Sequence, residues 1–226
     1  LIPENFYKDR FSYKGYSKVS DFYTDRNLKA LSILHDEIKK LKNPIKNYFL
    51  LCFSNTLLHV SDLKSENVRP LSVNNYWIPN NYLEENVWWR FEERCKRFTE
   101  GISYLSKEYK INSKSKIYKS SGISLKNTNE NSIDYIITDP PYGDVIQYSE
   151  LSFIWNTWLE ESFNPNEELI INPKQNKDNK YYLKEFLKFS KKIKTVLKKD
   201  KYFTLCFHNK NLSIWTNLLN ILFLEG

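Results

Sequence analysis

Four consecutive residues, Asp139-Pro140-Pro141-Tyr142, put a carboxylate, two prolines and an aromatic ring next to one another, with Gly143 behind them. Proline has no backbone N–H to give to a sheet, and two in a row at a strand end hold an extended backbone whose carbonyls stay free to accept from whatever lies beyond. Carboxylate and carbonyl oxygens accept N–H bonds and an aromatic face stacks on a π-system, a combination suited to a planar base that carries an exocyclic amino group. At about five per cent usage per residue type, a given tetrapeptide turns up roughly once in several hundred chains of this length, so the run is specific. The same residues also fit a plain turn that closes a strand, with Asp139 capping the next helix.

Such a motif needs a strand that ends where it begins. Ile133–Thr138 supplies one, rich in isoleucine and preceded by turn material at Gly122 and 126–131. Lys116–Ser120 reads as a further short strand and Tyr202–Phe207 as another, while Tyr148–Leu159, Tyr182–Leu197 and Ile214–Leu222 have helical spacing. Strand alternating with helix implies an α/β fold with a mostly parallel sheet, whose ligands sit beyond the carboxyl ends of the strands. His208-Asn209, at the end of Tyr202–Phe207, then either lines that pocket or, through Asn209, caps the following helix.

Residues 1–110 read instead as a mainly helical region. Leu28, Leu31, Leu34, Ile38 and Leu41 recur at helical spacing after Thr24, a candidate N-cap, and Pro44 stops the run. A second apolar helix is predicted over 45–60, and a loop over 62–82 with a short extended piece at Tyr76-Trp77-Ile78. Val87, Trp88, Phe91, Cys95, Phe98, Ile102 and Leu105 mark a long amphipathic helix, with Trp88 and Phe91 read as core and Arg90, Arg94 and Arg97 as its outer face.

With 226 residues, 41% apolar and 27% charged, the chain has the composition of a globular protein and can bury a sizeable core. No apolar run reaches the roughly 18 residues a bilayer demands. Cys52, Cys95 and Cys206 each lie in an apolar stretch and read as buried thiols, neither a disulfide framework nor a zinc site, so a reducing cytoplasm is expected. There is no methionine, and the last residues follow directly on an apolar helical pattern, so the chain is read as part of a longer protein in which some numbered neighbours need not be neighbours. The net charge of +7 is uneven. Lys174–Lys201 holds eleven lysines against Asp178, Glu185 and Asp200, a local +8, leaving −1 for the rest. Such a segment either meets nucleic-acid phosphates, where counterion release makes binding salt-dependent, or is a solvated helix face. Lys174 and Gln175, in a polar loop, are candidates for the same contact, as are Lys184, Lys188, Lys191 and Lys192 on the helix.

On its Asp139-Pro140-Pro141-Tyr142 run the chain resembles the DNA amino-methyltransferases, and among them a bacterial and archaeal group of large DNA methylases. Further likeness lies in Asn131–Thr138 before the motif, Tyr148–Trp155 after it, Ile171-Asn172-Pro173-Lys174-Gln175, Phe207-His208-Asn209, and Asn86-Val87-Trp88 with Phe91-Glu92. The resemblance covers about 85–226. It implies that 111–226 is an incomplete Rossmann-like, S-adenosylmethionine-dependent methyltransferase portion that acts on DNA, most often on adenine N6, with a restriction or specificity subunit as a companion. Asp139, Pro140, Pro141 and Tyr142 would be catalytic. Asp139, Ser121 and Ser124 would face the cofactor, although Ser124 stands where the family commonly offers an acid. The family's Phe-x-Gly-x-Gly turn is missing, since the only glycines are Gly15, Gly101, Gly122, Gly143 and Gly226, so this chain alone is expected to bind S-adenosylmethionine weakly or not at all.

The implied mechanism flips the target base out of the duplex into the pocket. Asp139 and the Pro140 carbonyl would accept its two amino hydrogens, and Tyr142 would stack on it. Cytosine N4, RNA or a protein amide as acceptor, and a catalytically incompetent nucleic-acid-binding relic, are the alternatives that the resemblance leaves open.

Overall fold

The structure, a computed structural model, describes residues 6, 15–67, 76, 78–109, 114–162 and 164–225; Trp77, and with it part of the expected extended piece, lies outside them. The chain divides into two compact units. One holds residues 1–113 and 148–163, the other 114–147 and 164–226. The segment after the Asp-Pro-Pro-Tyr motif therefore packs with the helical region, and its aromatic and apolar residues explain why.

In the helical unit, Thr24 caps α1 (Asp25–Lys39) by accepting from the Asn27 N–H at 3.2 Å. Leu31, His35 and Ile38 form its buried stripe. Pro44 directly precedes α2 (Ile45–Leu57), whose Cys52, Phe53, Thr56 and Leu57 are buried. Asn86 caps α3 (Val87–Glu108), accepting from the Trp89 N–H at 2.9 Å. Two short helices, α4 (Tyr148–Leu151) and α5 (Phe153–Trp158), complete the unit in place of one continuous helix. Phe153 and Ile154 are buried in the same core, the Trp155 indole donates to the Ser54 carbonyl at 2.8 Å, and Trp158 meets Tyr23, His35 and Phe53 edge-on. Truncating Phe53, which is fully buried, would leave a cavity costing about 3–5 kcal/mol.

Three expectations for α3 are corrected. Trp88 is 63% exposed, because the buried stripe runs through Val87 and Phe91, four residues apart, and Trp88 sits about 100° away from Val87. Arg90 and Arg94 are not an outer face: Arg90 pairs with the buried Glu85 and with Glu93, which also holds Arg97, and Arg94 is similarly withdrawn. The apolar stripe itself surfaces toward the end of the helix, where Ile102 and Leu105 are exposed.

The second unit is α/β. β1 (Ile133–Thr138) pairs in parallel with β2 (Leu197–Leu205), Tyr135 opposite Tyr202 and Thr138 opposite Leu205. Between them in sequence runs α6 (Asn179–Val196), and α7 (Leu212–Glu225) follows. Alternation sorts the strands: Ile136, Phe203 and Leu205 join a core with Tyr182, Phe186 and Ile193 of α6 and Ile214 and Leu218 of α7, while Tyr135, Ile137 and Tyr202 are exposed on the other face. β2 begins five residues before the expected start, at the price of a register shift and of Asp200 at φ +60°, a left-handed setting that aspartate tolerates. Lys116–Ser120 is not a strand. Its two apolar residues, Ile117 and Tyr118, are adjacent, so they would face opposite sides of a sheet and give neither side a stripe; Ile117 is 97% exposed. Cys206 is also corrected: it follows β2 and is exposed, whereas Cys52 is buried and Cys95 half-buried. Among the described residues no helix is long and apolar enough to cross a membrane, and no His, Cys, Asp and Glu side chains group to hold a metal ion.

Burial, reinforced by Arg94, Arg90 and Lys64 against the opposing pull of Glu93, pushes the His59 imidazole down to about 4. Burial also lowers His35, which stacks on Phe53. A histidine whose folded pKa lies below its unfolded value of about 6.5 leaves the unfolded chain as the better proton acceptor, so stability falls as pH drops from about 6.5 toward 4. Urea midpoints followed by tryptophan fluorescence should therefore be lower near pH 5 than near pH 7, and His59→Gln should shrink that difference.

Candidate active site

The ladder between β1 and β2 makes its last bond when the Cys206 N–H donates to the Thr138 carbonyl at 2.9 Å. Beyond it neither Pro140 nor Pro141 has an N–H to continue the pairing, and the chain leaves the sheet as Asp139–Gly143. The exposed Asp139 carboxylate accepts from the Tyr142 hydroxyl through Oδ1. The Tyr142 ring is thereby held beside the carboxylate and edge-on to Phe207, with centroids 5.3 Å apart.

The carbonyls of the motif are treated unequally. That of Pro141 accepts from the Tyr182 hydroxyl at 2.6 Å, and that of Tyr142 from Asn209 Nδ2 at 2.8 Å. Among the described residues nothing donates to the Pro140 carbonyl or to Asp139 Oδ2. Two adjacent acceptors are thus left at the carboxyl end of β1, on a backbone held by Tyr182 and Asn209.

Asn209 does more than either expectation for it. Besides holding Tyr142, its Oδ1 accepts from the Asn211 N–H at 2.7 Å, and its carbonyl accepts from the Trp215 indole at 2.9 Å, tying the start of α7 to the motif. The cap nearest α7 is Asn211, which accepts from the Ser213 N–H. His208 is exposed, its ring 6.5 Å from that of Tyr142. Gly143 turns the chain at φ +73°, its carbonyl accepting from the Ile171 N–H at 3.1 Å. A buried amide pair backs this turn: Gln147 donates to the Ile171 carbonyl at 3.1 Å and accepts from Asn172 at 2.9 Å. Tyr182 and Gln147 were not legible as site residues, for each is an ordinary residue whose role depends on a neighbour far along the chain; Asn209 was a candidate for the pocket, and its bond to the motif is made with Tyr142, 67 residues earlier.

Beside the motif lies a cavity of about 430 Å3, walled by Ser121, Pro140, Pro141, Glu167 and Phe189 among others. Ser121 lines it, and also borders an adjoining cavity of about 620 Å3 that Ser124, Glu167 and Tyr181 share. Ser121 is thus brought beside the motif and Ser124 only to the adjoining cavity, while Asp139 lines neither. An acid does reach both, from the Asn164–Leu169 segment and not from position 124.

The basic residues divide. Lys184, Lys188 and Lys191 recur at i, i+4 and i+7 and are exposed on one stripe of α6, with half-buried Lys192 at its edge; Lys188 also pairs with Glu185 at 2.6 Å. Lys174 is exposed, whereas Gln175 is half-buried with its Oε1 enclosed. Lys177, which the charge pattern counted with the surface lysines, is 3% exposed.

No family model, curated protein or solved structure matches this chain.

A Cβ on Gly143 would lie 3.1 Å from both Asn209 Nδ2 and Ile171 Cδ1 in a left-handed backbone, whereas one on Gly122 would meet only the Phe189 ring at 3.7 Å. Gly143→Ala should accordingly destabilise the protein by about 1–3 kcal/mol in urea titrations, and Gly122→Ala should be neutral or stabilising by up to about 1 kcal/mol.

Proposed function

We propose that this chain carries the base-binding half of a methyltransferase active site and that its acceptor is the exocyclic amino group of a base flipped out of DNA, adenine N6 in the first instance. The observation that carries this reading is a pair of acceptors to which nothing donates among the described residues, Asp139 Oδ2 and the Pro140 carbonyl, at a strand end whose following carbonyls are already bonded. Two acceptors side by side match the two hydrogens of one amino group.

With both hydrogens held, the nitrogen lone pair is drawn out of conjugation with the ring and directed outward. S-adenosylmethionine, when bound, supplies an electrophilic methyl group on sulfur. That methyl group would be what the held nitrogen accepts, and Asp139 would take up the surplus amino proton and pass it to solvent. Much of the rate advantage comes from alignment, which the Tyr182 and Asn209 struts serve by immobilising the motif. Tyr142, edge-on to Phe207, would stack on the base once its hydroxyl bond to Asp139 yields to the incoming amino group. As for the cofactor, the cavity beside Pro140 and Pro141 is of a size that small ligands occupy, and it sets apolar Ile123, Leu169 and Phe189 beside polar Ser121, Thr138 and Asn164; the glycine turn that would meet a methionine end is not among these residues. A Rossmann-like sheet, of which β1 and β2 would be neighbouring strands, belongs to the same proposal.

Asp139→Ala should abolish methyl transfer to DNA by the whole protein, measured with a radiolabelled methyl donor, while leaving the urea midpoint nearly unchanged because the side chain lies exposed beyond the strand. Activity within a few-fold of wild type would overturn the assigned role.

The lysine stripe would add affinity for the phosphate backbone without reading sequence, since ammonium groups are point charges with no bidentate match to base edges. Replacing Lys184, Lys188, Lys191 and Lys192 together by Gln should weaken binding to all duplexes alike, and flatten the slope of log affinity against log salt by up to about 0.9 for every phosphate no longer neutralised. Weakening confined to one sequence, or an unchanged slope, would contradict this.

A further inference from the structure

We infer that a basic cavity at the amino end of the β1–β2 pair is a second small-molecule site, and that its ligand is a phosphomonoester with an apolar body. The cavity lies one strand length from the Asp139–Gly143 motif, roughly 20 Å for the six residues of β1 at about 3.3 Å each. Nothing in the inference depends on the methyl-transfer reading.

The site begins as an irregularity of strand pairing. Ile133 lies opposite Leu197 and Tyr135 opposite Tyr202, so one residue of β1, Asp134, faces four of β2, Lys198–Lys201. The surplus residues must leave the line of the strand, and Asp200 turns them at φ +60°. Three of the four are lysines. Before this excursion the Asn131 and Ser132 N–H groups donate to the Thr195 and Val196 carbonyls, both at 3.0 Å, and after it the regular register resumes at Tyr135 and Tyr202. The bulge is therefore anchored on either side, and its side chains are aimed differently from those of a regular strand.

The cavity bordered by this bulge measures about 610 Å3, a size usual for small-molecule sites. Ile193, Phe203 and Leu222 give it apolar walls, while Lys194, Lys198, Lys199 and Lys201 bring ammonium groups to it. Lys198 and Lys201 are drawn to Asp134, at 3.0 and 3.8 Å, whereas Lys194 and Lys199 pair with no acid among the described residues. Asp200 is the one carboxylate on the lining. Four ammonium groups against Asp134 and Asp200 leave two positive charges over, which complement a phosphomonoester dianion better than a carboxylate monoanion. A donor waits there as well. Ser190 lines the cavity, is 4% exposed, and its enclosed Oγ has no hydrogen-bond partner. A hydroxyl buried without a partner is destabilising, and a ligand oxygen accepting from it would remove that penalty. The apolar walls set this cluster apart from the Lys184, Lys188 and Lys191 stripe, none of which lines the cavity, because contact with a phosphate backbone needs no apolar wall.

The test is isothermal titration calorimetry of this chain with 1-naphthyl phosphate, 1-naphthoate and inorganic phosphate at about pH 8, where both phosphates are dianions. Amide shifts locate the binding. The naphthyl phosphate should bind one per chain, about tenfold or more tighter than the monoanion with the same body and than the dianion without one, and should perturb amides over 190–203. Lys194→Gln combined with Lys199→Gln should weaken it about tenfold or more, whereas Lys184→Gln combined with Lys188→Gln should change it by less than about twofold. Ser190→Ala should lower the affinity about three- to tenfold while leaving the urea midpoint equal to or above that of the wild type, since the hydroxyl removed has no partner in the free protein. A serine with a merely structural role would lower the midpoint and spare the affinity. Equal affinity for naphthyl phosphate and inorganic phosphate would reduce the cavity to a patch of surface charge, and equal affinity for the naphthoate would remove the phosphomonoester as the ligand class. Either result, equal weakening by the two lysine pairs, or shifts confined to the Asp139–Gly143 motif would overturn the inference.

Discussion

Two prolines in succession at the end of a parallel strand set the terms for the α/β unit. Because neither can donate, the β1–β2 ladder must stop at Thr138, and every carbonyl after it has to find a donor elsewhere or remain open. Tyr182 from α6 and Asn209 from the end of β2 answer for two of them. Among the described residues the Pro140 carbonyl has no such donor. The position of α6, the path of the chain out of β2 and the left-handed turn at Gly143 all follow from satisfying those groups within one small core.

A second layer of polar contacts extends this logic outward. The Gln147–Asn172 pair, fully buried, backs the Gly143 turn, and Asn172 is bridged to Lys177, whose ammonium gathers the loop that bears Glu167. Buried polar groups of this kind are stable only when their partners are all in place, so they behave as a connected frame that moves as one or not at all. The helical unit handles charge differently: Glu85, buried at the start of α3, pairs with Arg90, and Glu93 is shared by Arg90, Arg94 and Arg97, beside an aromatic core of Phe22, Phe53 and Phe91.

Much of the element map was legible in the residues. β1 falls where the isoleucine run lies, Thr24 and Asn86 cap the helices they precede, and α6 and α7 follow their apolar spacing to within a few residues, because each of these signals is local and recurs at the period of the backbone. Periodicity says which residues share a stripe but not what covers it. That is why Trp88, Ile102 and Leu105 lie exposed on α3, and why Arg90, taken for a solvent-facing residue, is drawn inward by Glu85 and Glu93. It is also why Lys116–Ser120, apolar enough for a strand in composition, is none: without a partner or a consistent face, composition has nothing to act on.

What the amino-acid sequence determined by itself is the chemistry on offer, a carboxylate, a donor-free proline pair and an aromatic ring fixed by covalent adjacency at a strand end, together with the basic stripe on α6. Only the tertiary structure decided which of those groups stay available. Among the described residues nothing donates to Asp139 Oδ2 or the Pro140 carbonyl, whereas Tyr182 and Asn209, 41 and 67 residues further along the chain from the carbonyls they bind, take the next two. Ser190 and Lys199 acquire meaning in the same way, as an ordinary serine and one lysine among many until folding brings both to a cavity wall. The physical reason is that hydrogen-bond satisfaction is a property of the whole packed unit: a residue's type states what it can accept or donate, and only the neighbours gathered by folding settle whether anything is left over.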